Sequence, residues 1–404
     1  MLKNVRLTIP YYIDRIGNLD SNDSAVKIFN SIDIVDKATI RKNLHIFIDK
    51  RLPFEIVKNQ AKLENYSQRE VKFEALGENF SVEFTSGTTG EPFFFIKDRT
   101  ERAALGTSLW VSRNKIRKVR VNEFFDFIHL TAKDRDALNI PIGTNRRIEN
   151  QINYLNENKF SWWHCNGAIL SNLSQSNNQE DVQFPYLKII ENNGSYLSKS
   201  LIAEYEKFFQ CRIVNNYGCR EVWNIAYECL CGQLHVNNNI LLELVDEDNN
   251  VITTPNTVGS VVITSLILKR MPIIRYKLGD YAKYVKGSCK CGNSNCIIEI
   301  IPVRENIANR QEDGNEIFRL ILIRMLLDKG INDVESIEVD QMKDNEFKIH
   351  VRGKVKNRDF FESSFHQEVQ NLLGGNYKID YIYNLKTENK NRKSLFINHL
   401  EKRN

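Results

Sequence analysis

The sequence lacks any long uninterrupted apolar run at its start. The opening stretch MLKNVRLTIPYYIDRIGNLD interleaves charges with short apolar groups, so it reads as neither a secretory leader nor a membrane-spanning helix. A cytoplasmic protein with no membrane partner is the expectation. The chain also lacks an excess of charge of one sign: 56 basic residues face 51 acidic ones, a net charge of +5 over 404 residues. Nucleic acid is not expected as a partner, because phosphate-backbone binders concentrate their basic excess on one face. Repeats and long low-complexity stretches are missing too, so organisation is read from alternating strand-like and helix-like segments. What remains is an ordinary globular composition, 42% hydrophobic, long enough to bury a large core in about two or three packed units.

Cysteine is present but unevenly placed. Cys229, Cys231, Cys289, Cys291 and Cys296 cluster, while Cys165, Cys211 and Cys219 stand alone. In a reducing compartment such clustering suggests metal ligation before disulfides. The expected ligands of a stapling zinc are Cys229, Cys231, Cys289 and Cys291, with Cys296 or His235 able to replace one of them. Four thiolates would leave no open coordination position for catalysis. Reduced, partly buried thiols are the alternative.

Phe80 to Phe84 alternates apolar and polar residues, a small-residue loop follows, and Phe93 to Ile96 is apolar, which reads as a strand, a hairpin connection and a strand. Further on, LKIIEN reads as a buried strand, Ser198 caps the amphipathic helix KSLIAEYEKFF, and CRIVNN returns as a strand. From Ile240 to Val285 short strands alternate with turn signals such as Glu247-Asp248-Asn249-Asn250. After Arg304 the helix-like EIFRLILIRMLLDKG precedes two strand candidates, the helix DFFESSFHQEVQNLL and a last strand near YKIDYIYNL. The fold class expected is α/β: a large mixed α/β domain over 1–303 with a β-rich subdomain at about 229–300, then a small α+β domain over 304–404.

FTSGTTGEPFFFIK carries two glycines and three hydroxyl side chains between Ser86 and Gly90, giving backbone N–H and O–H donors suited to wrapping a triphosphate. It differs from the common kinase and GTPase loop, which ends in Gly-Lys followed by Ser or Thr, since Glu91 and Pro92 follow Gly90. A polar hairpin turn is the bland alternative. Two later segments change that weighting: NNYGCREV at Asn215 to Val222 and PIIRYKLGDYAKY at Pro272 to Tyr284.

The order SGTTGEP, YGCRE, RYKLGD resembles the adenylate-forming superfamily of acyl-CoA synthetases and adenylation domains, most closely its phenylacetate-CoA ligase-like branch. SIDIVDKATIRKN is similar to that branch's N-terminal segment, and GQLHVNNNILLELVDEDNNVITTPNTVGSVVITSL to its β-rich run, so the likeness covers nearly the whole chain. The resemblance implies ATP-dependent activation of a carboxylic acid to an acyl adenylate, then transfer to the thiol of CoA or of a carrier-protein phosphopantetheine arm. An amine acceptor, modification of a cofactor, and a catalytically silent nucleotide binder are the alternatives.

By this resemblance Ser86, Gly87, Thr88, Thr89 and Gly90 bind the β- and γ-phosphates of ATP, and Asp280 holds the ribose hydroxyls. Tyr217 stacks near adenine beside Gly218, Asn215 and Asn216 border the adenine and acyl sites, and Glu221 matches the acidic position associated with Mg²⁺. Asn193, Gly194 and Ser195 lie against nucleotide and acyl group, and Arg304 matches the hinge. Without the motif context Tyr217 reads as a packed aromatic and Asp280 as a turn residue. Trp162, Trp163 and His164 fall where that branch lines its acid pocket, which suits an aromatic acid; core packing accounts equally well for the two tryptophans. Lys393 in NRKSLFIN is the best match to the catalytic lysine, with Lys390 second.

The chain departs from the pattern at several positions. Val303 replaces the hinge glycine, Asn306 and Ile307 occupy the aspartate positions, and Arg392 stands for the glycine before the lysine. Arg220 replaces the threonine before Glu221, where it could meet the α-phosphate or an acidic group on the substrate.

Overall fold

The structure, a computed structural model, describes residues 2–16, 25–60, 70–85, 93–126, 152–174, 183–194, 196–197, 199–304, 318, 321, 334–343, 345–353, 355–373, 377–383 and 396–398. Helices α1 (Leu2–Thr8), α2 (Pro10–Ile16), α3 (Ala25–Asn30), α4 (Lys37–Lys42), α5 (Leu44–Phe47) and α6 (Phe54–Gln60) precede a three-stranded antiparallel sheet. Its strands are β1 (Glu70–Ala75), β2 (Glu78–Thr85) and β3 (Phe93–Asp98). β2 and β3 pair as far as Thr85 opposite Phe93, the hairpin expected around the glycine-rich loop. β3 is buried along its whole length and ends where Asp98 caps α7 (Arg99–Ile116). The Asp98 carboxylate accepts from the Glu101 N–H at 2.8 Å and Glu101 accepts from the Asp98 N–H at 2.8 Å. This reciprocal cap satisfies two N–H groups that a helix start otherwise leaves unpaired.

β4 (Phe124–Asp126), β5 (Trp162–Cys165), β6 (Ile189–Asn193) and β7 (Arg212–Tyr217) pair in parallel. α8 (Gly167–Ser174) crosses from β5 to β6 and α9 (Lys199–Phe209) from β6 to β7. α9 is the helix read in KSLIAEYEKFF; Tyr205 and Phe209, one turn apart, are both buried, as an apolar stripe at helical spacing requires.

The same sheet then turns antiparallel through β8 (Ala226–Glu228), β9 (Leu234–Val236), β10 (Ile240–Val245), β11 (Val258–Ser265), β12 (Tyr276–Tyr284) and β13 (Ile297–Arg304). The strand order is β10-β11-β12-β13-β9-β8-β7-β6-β5-β4. The β-rich run therefore continues the parallel strands within one sheet, joined by the short pairing of Ile297 with His235 and Ile298 with Leu234.

A four-stranded sheet, ordered β16-β15-β14-β17, is built from β14 (Val334–Lys343), β15 (Glu346–Gly353), β16 (Lys378–Tyr383) and β17 (Phe396–Asn398). α10 (Arg358–Leu373) crosses from β15 to the parallel β16. Its Phe361, Phe365 and Val369 share a core with Ile337, Val339 and Ile349, which Tyr281 and Ile301 of the ten-stranded sheet join. Of the segment EIFRLILIRMLLDKG only Phe318 and Ile321 are described, both buried in that core. The whole is the mixed α/β fold the sequence predicts.

Candidate functional site

Ligands of open α/β sheets bind beyond the carboxyl ends of the parallel strands. β7 ends there in Tyr217, followed by the turn through Glu221. A side chain at Gly218 would place its Cβ 2.0 Å from the Trp223 carbonyl oxygen, so glycine is required by the approach of that backbone. Trp223 itself holds φ at 63°, a strained value for a bulky residue of the kind that gathers at functional turns.

Two hydrogen bonds tie this turn to β12. The Tyr217 hydroxyl donates to Asp280 Oδ2 at 3.0 Å, and the Tyr276 hydroxyl donates to the buried Glu221 Oε1 at 3.2 Å. The early segment SIDIVDK joins them: Val35 N–H donates to the Arg275 carbonyl at 3.0 Å, and Lys277 N–H to the Val35 carbonyl at 2.8 Å. Arg304 stands opposite Asp280 in the register of β12 and β13, where the ladder shifts by a bulge. Motifs far apart in sequence thus meet on the interior strands of the sheet.

Below the turn lies a buried polar network. Arg113 donates to Glu191 through Nε at 2.7 Å and Nη2 at 3.1 Å, Trp162 Nε1 donates to Glu191 at 3.0 Å, and Asn216 Nδ2 does so at 3.0 Å. Burial pushes the Glu191 carboxyl up, but the Arg113 guanidinium and the surrounding donors outweigh it and hold the group at about 2. Asn224 Nδ2 donates to Asn216 Oδ1 at 2.7 Å. Asn215 donates to Glu228 from its backbone and its side chain, and accepts from Asn192. Both asparagines expected to border the ligand therefore turn their amides into the scaffold, which fixes the strand leading to Tyr217.

The two tryptophans correct an expectation. Trp162 and Trp163 have no exposed surface and pack in separate apolar cores, so they are core residues and not pocket walls. His164 is equally buried; its Nδ1 lies 2.9 Å from Asp126 Oδ1 and its Nε2 3.3 Å from Asn193 Nδ2. That arrangement orients Asn193, and Gly194 follows with φ at 79°. A tryptophan pair next to a histidine carries no sequence signal that separates the core from a pocket.

On the other side of the turn, Lys97 Nζ donates to Glu83 Oε2 at 2.8 Å and to the Arg220 carbonyl at 3.0 Å. The Trp223 indole donates to the same Glu83 oxygen at 3.0 Å, and the Arg220 Nε stands 3.8 Å from it. Burial raises the Glu83 carboxyl, yet Lys97 and Arg220 hold it below its ordinary value. Neither Glu83 nor Lys97 was singled out in the sequence. The available signal is a lysine closing the apolar run Phe93 to Ile96, with a glutamate in the partner strand one pair along on the same face.

The thiols converge as well. Ligand atoms of Cys229, His235, Cys289 and Cys291 all lie within 4.8 Å of one another. Cys229 and Cys289 sulfurs are 3.6 Å apart, and Cys291 Sγ is 3.3 Å from His235 Nε2. Zinc–sulfur bonds of about 2.3 Å in a tetrahedron place sulfurs roughly 3.8 Å apart, so this donor set fits zinc. His235 Nδ1 lies 3.2 Å from the Asn295 carbonyl, which turns Nε2 toward the thiols. Cys231 was expected in the fourth place. It is exposed on the same turn and hydrogen-bonded to Cys229 and Cys289, while His235, held open as a replacement for one thiol, stands in the group of four because β9 lies beside β13.

Several expected residues lie outside the described ones: Ser86, Gly87, Thr88, Thr89, Gly90, Ser195, Lys390, Arg392, Lys393, Asn306 and Ile307. Of Arg304 and Val303 only the backbone is described.

No protein-family model and no curated protein matches this sequence. Solved structures of 2-hydroxyisobutyryl-CoA ligase do match in fold. The one in the postadenylation state in complex with 2-HIB-AMP superposes with a TM-score of 0.62 at 14% identity, over 99% of this chain and 87% of the ligase. The open conformation in complex with 2-HIB-AMP and CoA gives 0.60 at 14% identity, over 98% and 88%. The chain shares the fold of that ligase nearly from end to end.

Proposed function

We propose that this protein activates a carboxylic acid with ATP and passes the acyl group to a thiol, as a phenylacetate-CoA ligase-like acid–thiol ligase. The observation that carries the reading is the meeting of Tyr217 with Asp280 and of Glu221 with Tyr276 on a fold shared with a ligase solved with an acyl-AMP and CoA. The substrate carboxylate attacks the α-phosphorus, the bond to the β-phosphate breaks, and pyrophosphate leaves. A thiol, of CoA or of a carrier protein, then attacks the acyl carbon and releases AMP.

Asp280 accepts from the ribose hydroxyls while Tyr217 both anchors that carboxylate and offers its ring to adenine. Ser86 to Gly90 hold the departing phosphates, and Lys393 neutralises charge on the reacting oxygens. Glu221, with one oxygen engaged by Tyr276, suits Mg²⁺, which when bound supplies positive charge to the phosphates. Arg304 begins the hinge, and the units proposed are 1–303 and 304–404. The donor set of Cys229, His235, Cys289 and Cys291 supports a structural zinc, which ties the β8–β9 turn to the loop before β13.

Acid-dependent exchange of labelled pyrophosphate into ATP tests the reading. A panel of aliphatic and aromatic acids is expected to contain at least one that drives exchange. Binding of ATP without exchange across the whole panel contradicts it.

A further inference from the structure

Against the three-stranded sheet lies a cavity of about 350 Å³ that the roles above leave unused, walled by Lys72, Asn79, Phe80, Ser81, Arg99 and Arg102. Lys72 of β1 pairs with Ser81 of β2, so the two side chains leave the same face of the sheet. Arg99 and Arg102 lie near the start of α7, and their spacing of three puts them on one side of the helix. Three cations from two elements therefore converge, and no carboxylate of the described residues lines the cavity.

The acidic side chains around it are committed elsewhere. Asp98 and Glu101 accept from each other's N–H groups, Glu101 also accepts from the N–H groups of Lys269 and Arg270, and the Arg270 guanidinium donates to Asp98 and Glu78. Glu74, on the same face of β1 as Lys72, is exposed and does not line the cavity. Arg102 is held in place by the buried Ser81 hydroxyl, which accepts from its Nη1, and by the Trp223 ring, 5.8 Å from its guanidinium carbon. Lys72 and Arg99 are exposed and engage no carboxylate among the described residues. Like charges facing one another across a cavity repel, and the two arginines stand besides at the positive end of the α7 dipole. The N–H groups at that end are served by the reciprocal cap, so what the cavity offers an anion is its side chains.

We propose that this cavity binds a phosphate dianion, with Lys72, Arg99 and Arg102 around it and Asn79 offering its amide. The dianion offsets the repulsion among the cations, and the forked N–H groups of arginine match its oxygens. A phosphate group fills only part of the cavity, which leaves room for a sugar that carries it. The thiol acceptor of the adenylation reading supplies such a group: coenzyme A bears a 3′-phosphate monoester, whereas a carrier-protein arm is attached through a diester. The site stands apart from that reading; only coenzyme A as the source of the phosphate rests on it.

The test is titration calorimetry at constant ionic strength, with the nucleotide site filled by Mg²⁺ and α,β-methylene-ATP. Inorganic phosphate is expected to bind the wild type. The double variant Lys72→Ala with Arg99→Ala is expected to bind it more than about tenfold more weakly, each exposed cation being worth up to about fivefold. Coenzyme A is expected to bind the wild type about tenfold more tightly than dephospho-coenzyme A, which lacks only the 3′-phosphate, and the two are expected to bind alike in the double variant. Weakened phosphate binding in the double variant, with both coenzymes alike in the wild type, upholds the site and overturns coenzyme A as its source. Phosphate binding that is unchanged in the double variant overturns the proposal, as does a wild type that binds phosphate no better than chloride. Thermal unfolding controls for folding; should the alanine pair fail to fold, Lys72→Gln with Arg99→Gln takes its place under the same outcomes. A wild type that does not bind α,β-methylene-ATP overturns the adenylation reading, and the phosphate titration without the analogue still decides the cavity.

Discussion

In the parallel half of the ten-stranded sheet the charge at the centre, Glu191, is surrounded by donors from the protein itself: Arg113, Trp162 and Asn216. In the antiparallel half, Cys229, His235, Cys289 and Cys291 present their ligand atoms to one another. The first arrangement is satisfied within the chain; the second suits completion by a cation. The parallel half is thus a rigid floor, with its asparagines committed inward. The Tyr217–Asp280 bond joins the halves, with Tyr217 at the end of β7 and Asp280 in β12.

The largest effect expected is in the floor. Arg113→Met leaves the Glu191 carboxylate buried without its cation and is expected to cost about 3–5 kcal/mol in urea unfolding. A loss below about 1 kcal/mol, typical of an exposed pair, would remove the contrast. The difference has a pH signature. Because the folded-state value of Glu191 is depressed to about 2, the stabilisation is fully present above the ordinary carboxyl range and fades as pH falls toward 2. The gap between wild type and Arg113→Met should therefore narrow on acidification.

Next comes the cation site. Chelation of the zinc-loaded protein is expected to lower stability by about 3 kcal/mol, the linkage from an ion present in hundredfold or greater excess over its dissociation constant. Titration of thiols in the folded protein should rise at the same time. An unchanged unfolding midpoint and thiol count would make the two halves alike in being self-sufficient.

Smaller effects probe the bond between the halves. Asp280→Ala removes a charged acceptor and is expected to weaken ATP binding by about 2 kcal/mol. Tyr217→Phe keeps the ring but releases Asp280, with an expected loss of about 1 kcal/mol. Equal losses in the two variants would mean that Asp280 acts through Tyr217 and does not meet the nucleotide.

How much of this was legible in the sequence follows from what fixes each part. The β2–β3 hairpin, the β6–α9–β7 unit and the thiol cluster follow from alternation and spacing along the chain, so they read directly. The turn at Tyr217 and the strand bearing Asp280 were legible as motifs, though the hydrogen bond between Tyr217 and Asp280 spans 63 residues of chain. Glu191 and Arg113, 78 residues apart, have no local signature; only the fold makes them partners. The inward turn of Asn215 and Asn216 was hidden for the same reason, as was the burial of Trp162 and Trp163. His235, held open as a replacement for one thiol, joins the group because strand pairing, not sequence spacing, decides which side chains surround a point. β17 was missed because its three residues are held by pairing with β14, not by any pattern of their own.

The central claim is that a carboxylate oxygen attacks the α-phosphorus, and oxygen labelling tests it most directly. With an acid that supports turnover, ¹⁸O in its carboxyl group and a thiol acceptor, the account predicts one labelled oxygen in the AMP released, with unlabelled pyrophosphate. Label in inorganic phosphate, accompanied by ADP, would place the attack at the γ-phosphorus and contradict it.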